Sequence, residues 1–347
     1  QAQQLSGNTS PAYDDDATIY PKLIQLLADA VNDINASSSV LTPGANSLIY
    51  TGTWATVKTN WIKLANTLRL RLLLHYSKLN PTFCVQQITA LVNTAGIQFF
   101  ASNADNFSMK FYNIANQRSP ISAFEVSRPN YLFVDQRMLS LMTPKADPRR
   151  AFYFTDFPVG SGNYVGVSAT AIPPTPNNNY SRIHTFLRGA VVTPGAGTNS
   201  NVYTGDAPQR MLTYAEYCFI RAEAALMGAP GNAQQFFTDG ITASMQEVGV
   251  APAAITTYLT ANGTLTGTNA QKLQQIIEEK YIALFGVSVE PWTDWRRTGY
   301  PALSVPTNSI TGSIPRTLFY PQSEIDLNPN HPPQKAASLQ DRVFWDN

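Results

Sequence analysis

Long hydrophobic runs are missing from this 347-residue chain. None reaches the ~18–20 apolar residues that a membrane helix requires, so no transmembrane helix is expected. Charge is also scarce: Lys, Arg, Asp and Glu make up 14% of the residues, against about a quarter in ordinary soluble domains. Asn, Thr, Ser, Gln and Pro fill the polar surface instead, which suits an extracellular protein with neutral polar contacts. Twenty-four basic and 23 acidic side chains nearly cancel, and no basic block stands out. The concentrated positive footprint of a nucleic-acid binder is therefore absent, and so is a polybasic patch for a membrane surface.

Cysteine and histidine are rare too. Cys84 and Cys218 lie far apart, each within an apolar helical pattern, and read as buried free thiols. A disulfide between them stays open, because sequence cannot place two sulfurs together. No CxxC or Cys/His cluster suggests zinc. His75, His184 and His331 are scattered, and no GxSxG elbow faces any of them as a hydrolytic triad would need. No phosphate loop, dinucleotide glycine fingerprint or HExxH occurs. Asp156, Glu290, Asp294 and Asp326 are carboxylates, yet no spacing singles out a glycosidase pair. Asp14-Asp15-Asp16 lacks the alternation and glycine of a calcium loop and reads as acid at a helix N-terminus. Neither a cofactor nor a metal is implied, calcium is unsupported, and catalysis has no positive signal.

What the chain does have is helical period, with 44% hydrophobic residues to build a core. Ile19, Leu23, Leu26, Leu27, Ala30, Val31 and Ile34 share a face, with Pro21 expected in the first turn of that helix. A long helix is predicted from Trp54 to about Leu79, with Val57, Trp61, Leu64, Ala65, Leu68, Leu72 and His75 on one stripe. Asn80-Pro81 ends it, and Phe83, Ile88, Leu91 and Val92 mark an antiparallel partner. The pair resembles a tetratricopeptide unit. Residues 98–205 lose this period. Phe107–Phe111, Ala151–Phe157 and Tyr164–Val167 read as strands or extended arms, with one helix predicted from Asn130 to Met142. Segments 170–181 and 191–201 are loops by composition. A second helical pair is expected from Ala207-Pro208, through Met211, Leu212, Ala215, Phe219, Ala222 and Leu226, to a partner spanning Asn232 to about Val248. Ala253–Thr260 adds a short helix.

The stretch from Leu273 to Pro301, LQQIIEEKYIALFGVSVEPWTDWRRTGYP, organises the rest. Its apolar residues recur at three- and four-residue steps up to Gly286, an expected C-cap. Trp292, Asp294, Trp295, Arg296 and Arg297 then suit a buried corner, in which the rings pack and Asp294 or Glu278 pairs an arginine. Burial of each tryptophan is expected to stabilise by roughly 3 kcal/mol or more. These residues are read as structural.

Four motifs in order carry a resemblance: EEKYIALFG, EPWTDWRRTGYP, IPRTLFYPQSEIDLNPN at 314–330, and the closing DRVFWDN. Together they resemble the C-terminal signature of the SusD/RagB family, in its starch-binding, outer-membrane-associated branch. Tyr50, Gly52, Trp61, Ala65, Asn66, Leu68 and Arg71 match an upstream family segment. So do the Asp147-Pro148-Arg149 step and the run Tyr214-Ala215-Glu216…Arg221-Ala222-Glu223-Ala224. The resemblance implies a mainly α fold of tetratricopeptide-like helical hairpins with a loop-rich lobe containing short strands. Within one domain, 1–97 would form a hairpin scaffold, 98–205 the lobe, and 206–347 a second hairpin with a C-terminal wrap. It also implies a surface lipoprotein that passes oligosaccharides or peptides to a SusC-like TonB-dependent transporter, without bond cleavage. The opening residues resemble an internal family segment, so a signal sequence, lipidated cysteine and first helices are expected upstream.

Sugar rings stack their C–H faces on aromatics while hydroxyls bond amides and guanidiniums. Tyr50, Trp54, Tyr112, Asn113, Arg118, Tyr164, Tyr180 and Arg182 are the ligand-binding candidates on that chemistry. Two other functions compete. A tetratricopeptide-like adaptor would bind a protein partner through a helical groove, and a glycan-degrading enzyme would need two carboxylates in a cleft.

Overall fold

The computed structural model describes residues 7–347 apart from 9, 40–41, 43–46, 130, 169–178, 196–200, 288 and 307–308. Most of the two predicted loop segments, and the expected helix start at Asn130, therefore lie outside the described residues. The chain is mainly helical. In order come α1 (Asp16–Ile34), α2 (Trp54–Leu74), α3 (Pro81–Val92), β1 (Phe107–Met109), α4 (Pro120–Ser127), α5 (Gln136–Met142), α6 (Arg150–Tyr153) and α7 (Thr185–Arg188). Three short strands follow, β2 (Val191–Thr193), β3 (Val202–Tyr203) and β4 (Gln209–Leu212). The remaining helices are α8 (Tyr214–Leu226), α9 (Ala233–Val248), α10 (Pro252–Asn262), α11 (Asn269–Ala283), α12 (Glu290–Thr298) and α13 (Gln322–Leu327). The strands form two antiparallel pairs, β1 with β4 and β2 with β3. Among the described residues no helix is long and apolar enough to cross a membrane.

Capping chemistry explains where the helices begin. Asn80 accepts from Phe83 N at the head of α3, with Pro81 in the first turn, where a missing N–H costs nothing. Thr213 caps α8 and Asn232 caps α9. The sequence reading began α8 too early, because Gln209–Leu212 is β4, paired with β1 across the chain. Ala151–Phe157, expected to be extended, opens instead with the helical turn α6. The helix predicted from Asn130 starts six residues later, where Asp135 caps α5. Phe133 bridges Arg182 in extended form before it. In α1 the packed face is rotated from the expected stripe: Tyr20 and Ile24 meet the core, whereas Leu23 and Leu26 are exposed. Pro21 lies beyond the first turn of that helix, inside it.

One core joins α2, α3 and α8 through Leu70, Leu74, Ile88 and Ile220, with both free cysteines inside it. A second lies between α8, α9, α10 and α11, around Phe219, Phe237, Ile241 and Ile276. A third sits under the loop-rich lobe, where Tyr153 stands 4.8 Å from both Phe186 and Phe285.

The corner made by α12 keeps the expected pairing of a carboxylate with an arginine but buries its rings less than expected. Trp292 and Trp295 are only half-buried, while Glu290, Asp294, Arg296 and Arg297 are buried. Arg297 donates to Glu223, Asp294 and Ser77. Lys280 reaches Asp294 at 2.7 Å, and His75 Nε2 lies 3.1 Å from Glu290. Asp294 does pair an arginine, but Glu278 does not, for it accepts from Gln274 at 2.7 Å on the helix surface. Its neighbour Glu279 is the buried carboxylate, held by Arg149 and Lys145. Removing one member of such an ion pair exposes the other's full desolvation cost, so these charges, more than the rings, tie the helices into one register.

The tail packs back on α12. Trp292 Nε1 donates to Pro315 O at 2.8 Å, and Arg296 and Arg316 each donate to the other's carbonyl. Asp346, fully buried, collects Lys78, Arg316 and Arg342. The run expected to be an irregular wrap also contains α13, and Asn328 closes its end on the carbonyl of Pro11.

Candidate functional site

Tyr50, Asn60, Asn103, Asn106, Ser108 and Lys110 line a cavity of about 380 Å³. Its walls are rigid for local reasons. Ser102 caps the short turn Asn103–Asp105, and the Asp105 carboxylate reaches back to the backbone N–H groups of Ala101 and Ser102. Lys63 pairs with that carboxylate at 2.8 Å. Tyr50 donates its hydroxyl to Asp105 O at 2.8 Å and meets Trp61 edge-on at 5.2 Å. Glu247, also in the wall, is held by Arg210 at 2.8 Å and by Asn106 at 3.0 Å. The cavity thus offers amides, a hydroxyl and an ammonium, while its carboxylates are already paired.

Past Lys110 the chain makes a closed turn, in which Tyr112 N donates to Gln117 O at 2.9 Å and Asn116 takes a left-handed φ of 64°. Asparagine tolerates that conformation better than most residues. Tyr112 is 49% exposed on this turn. Arg118 donates to Asn113 at 2.8 Å, and its stem passes so close to Gly205 that a Cβ there would stand 2.7 Å from it. Ser119 N then bonds Gly205 O, and the Ser119 side chain caps α4 with Pro120 at its first position. Helix α4 presents Phe124, with Tyr131 edge-on at 6.4 Å and the Arg128 guanidinium 5.8 Å above the ring. Tyr131 is 64% exposed, and Glu125 fixes the backbone beside it by accepting from Leu132 N at 2.8 Å. The segment thus carries two exposed groups in succession, Tyr112 with Asn113 and Arg118 on the turn, and Phe124, Arg128 and Tyr131 at α4.

Chain connectivity places Tyr50, Tyr112, Asn113 and Arg118 along this one path from cavity to turn. Lys110 and Tyr112 are two residues apart, within about 7 Å along the backbone. The other candidates sit elsewhere. Trp54 packs half-buried on the α2–α3–α8 core. Tyr164 lies under the Arg150 guanidinium at 5.2 Å. Arg182 is buried, 4.3 Å over the Phe133 ring that Tyr180 meets edge-on. That side chain belongs to the lobe's interior, not to a surface open to solute. Phe124, Arg128 and Tyr131 were missed, because α4 is too short to show a period. Its signal was present in Ser119-Pro120, a capping residue followed by proline.

A larger cavity of about 780 Å³ opens between α3, α8, α11 and α12, with Lys78, Val85, Leu226, Met227, Leu273 and Arg297 in its lining. Among the described residues no aromatic ring lines it, and Lys78 and Arg297 are held by Asp346 and Glu223. It lacks the stacking surface a sugar needs.

Known proteins now bear on this geometry. Residues 1–321 match the SusD-like family described as "Starch-binding associating with outer membrane". A chitin-binding SusD homologue from Flavobacterium johnsoniae is 26% identical over all of this chain and 76% of its own, with a TM-score of 0.79. The solved structure of a chitin-binding protein is likewise 26% identical, covering 97% of this chain and 74% of that one, at a TM-score of 0.77. A SusD homologue from Bacteroides vulgatus, 22% identical, shares the fold over 100% of this chain and 74% of its own at a TM-score of 0.78. No curated protein matches. With the family match running through nearly the whole chain, over the same helical pairs and loop-rich lobe described above, this protein belongs to the SusD-like family.

Proposed function

We propose that this protein captures oligosaccharides outside the cell, on the face that runs from the Lys110 cavity to Tyr131, and passes them to a SusC-like TonB-dependent transporter. A lipid anchor would hold it at the outer membrane surface. The observation that carries this reading is the set of exposed rings, Tyr112 and Tyr131, standing beside amide and guanidinium donors in a chain of the SusD-like family. The nearby carboxylates Asp105 and Glu247 are tied to Lys63 and Arg210, which suits binding more than proton transfer. Isothermal titration with maltoheptaose, chitohexaose and other defined oligosaccharides tests it. Binding without turnover is expected, weakened about threefold to tenfold by Tyr112→Ala or Tyr131→Ala, the range that ring contacts contribute. Absence of glycan binding at millimolar ligand, or sustained cleavage of any glycan, would overturn the reading.

A further inference from the structure

Charge is unevenly distributed along this chain. From Asn106 to Asp206 there are nine Lys and Arg against five Asp and Glu, a surplus of four positive charges. The whole protein has a surplus of only one, so the remainder is net negative by three. The loop-rich lobe is therefore the cationic part of a nearly neutral molecule.

Ion pairing sharpens the contrast. Within the lobe, Arg137 is paired with Asp135, Arg149 with Asp147 and Glu279, and Lys145 with Glu279. The cations on the ring-bearing face are different. Among the described residues Arg118 bonds the neutral amide of Asn113, and Arg128 lies over Phe124. Lys110 is exposed at the cavity rim. No carboxylate lies within ion-pairing distance of these three among the described residues, whereas Asp105 and Glu247 beside them are neutralised by Lys63 and Arg210. Lys110 and Arg118 flank the closed turn that carries Tyr112. Arg118 and Arg128 lie before and after α4, whose eight residues span about 12 Å. Three cations without a carboxylate partner among the described residues, in the same segment as exposed tyrosines, present a repeated positive charge beside stacking rings.

We infer that the glycan taken by this face is acidic, a polysaccharide bearing carboxylate or sulfate groups, in preference to a neutral one. The inference rests on the glycan-capture reading above and adds the chemical class of the ligand. Guanidinium groups match carboxylate and sulfate oxygens with paired N–H donors. The exposed rings favour a sugar over an acidic peptide, whose backbone offers no flat C–H face of this kind.

Titration of the wild-type protein at about 0.05 M and about 0.5 M NaCl, between which screening grows severalfold shorter in range, distinguishes the outcomes. The probes are polygalacturonate, chondroitin sulfate, maltoheptaose, chitohexaose and polyglutamate. Polygalacturonate or chondroitin sulfate is expected to bind about tenfold more tightly than the neutral oligosaccharides at low salt, and to lose that margin at high salt. The triple variant K110Q/R118Q/R128Q, altered only at exposed positions, is expected to lose about tenfold in affinity for the acidic glycan, since three exposed charge contacts are each modest. Which acidic probe wins separates carboxylate from sulfate. Neutral oligosaccharides bound as tightly as acidic ones, without salt dependence, would overturn the acidic assignment and leave glycan capture standing. Polyglutamate bound with no polysaccharide bound would overturn both, and so would no binding at all. Should the triple variant fail to fold, the wild-type salt dependence alone decides.

Discussion

Arg71 grips Glu216 through two parallel bonds of 2.7 Å, from Nε to one carboxylate oxygen and from Nη2 to the other, across 145 residues of sequence. The arginine comes from α2 and the carboxylate from α8, so this contact locks the two helical pairs together. The same guanidinium also donates to Met211 O at 2.9 Å. Glu216 is fully buried. Glu216→Ala would leave the largely buried Arg71 guanidinium with the more distant Glu290, 3.8 Å away, as its carboxylate partner, and a loss of about 3 kcal/mol is expected. Replacing both partners by apolar residues, as in Arg71→Met with Glu216→Leu, should cost less than the single change. Urea denaturation of the three proteins measures the difference.

Acid is expected to weaken a second buried pair. Burial alone would raise the Glu279 carboxyl, but the Arg149 and Lys145 charges, with hydrogen bonds from Lys145 and Tyr258, outweigh it and lower it from 4.5 to about 2. A folded-state value below the unfolded one contributes stability that is complete above about pH 4.5 and lost as pH falls toward 2. The shift corresponds to about 3 kcal/mol. Stability followed by denaturation from pH 6 to pH 2 should fall across that window. Glu279→Gln should be less stable at pH 6 and show a shallower decline.

These charged contacts also mark the limit of what the sequence disclosed. Helical periods gave α2, α3, α9 and the body of α11, because an apolar stripe is a local property. The Trp292 to Arg297 corner was read as a buried one with a paired arginine, as found, but its rings are only half-buried. A count of apolar positions cannot register that Arg297 meets Glu223 from 74 residues away, or that Glu279, not Glu278, faces Arg149. In the candidate site, Tyr112, Asn113 and Arg118 were visible as ring, amide and guanidinium neighbours. Arg182 carried the same local signature yet folds inward, since the bridge from Phe133 decides its side. Phe124 and Tyr131 depend on a helix of eight residues, barely two turns and shorter than the roughly 11–18-residue window in which a helical period can be read.

The two thiols offer a chemical test of packing. Burial pushes both Cys84 and Cys218 up to about 12, and both are fully enclosed in the α2–α3–α8 core. A thiol reagent attacks the thiolate, so neither should react at pH 8 while the protein is folded. Titration with a chromogenic disulfide should release nothing from native protein and two equivalents after denaturation. One fast equivalent from native protein would contradict the packing described.

Gly240 sets two effects against each other. It lies within α9, where alanine would normally gain up to about 1 kcal/mol of helix propensity. A Cβ built there, however, would stand 2.9 Å from both Cε1 and Cζ of Phe219, a ring with no solvent exposure. Phe219 is itself wedged between α8 and α9, 6.3 Å edge-on from Phe237, so it has little room to retreat. Overpacking of such a site costs typically about 1–3 kcal/mol, which exceeds the propensity gain. Gly240→Ala is therefore expected to destabilise by about 1–2 kcal/mol. Phe219→Leu should relieve part of that penalty, because the contact is with the far edge of the ring. A double-mutant cycle read by denaturation gives the coupling directly, and additive losses would show that the two helices approach less closely than described.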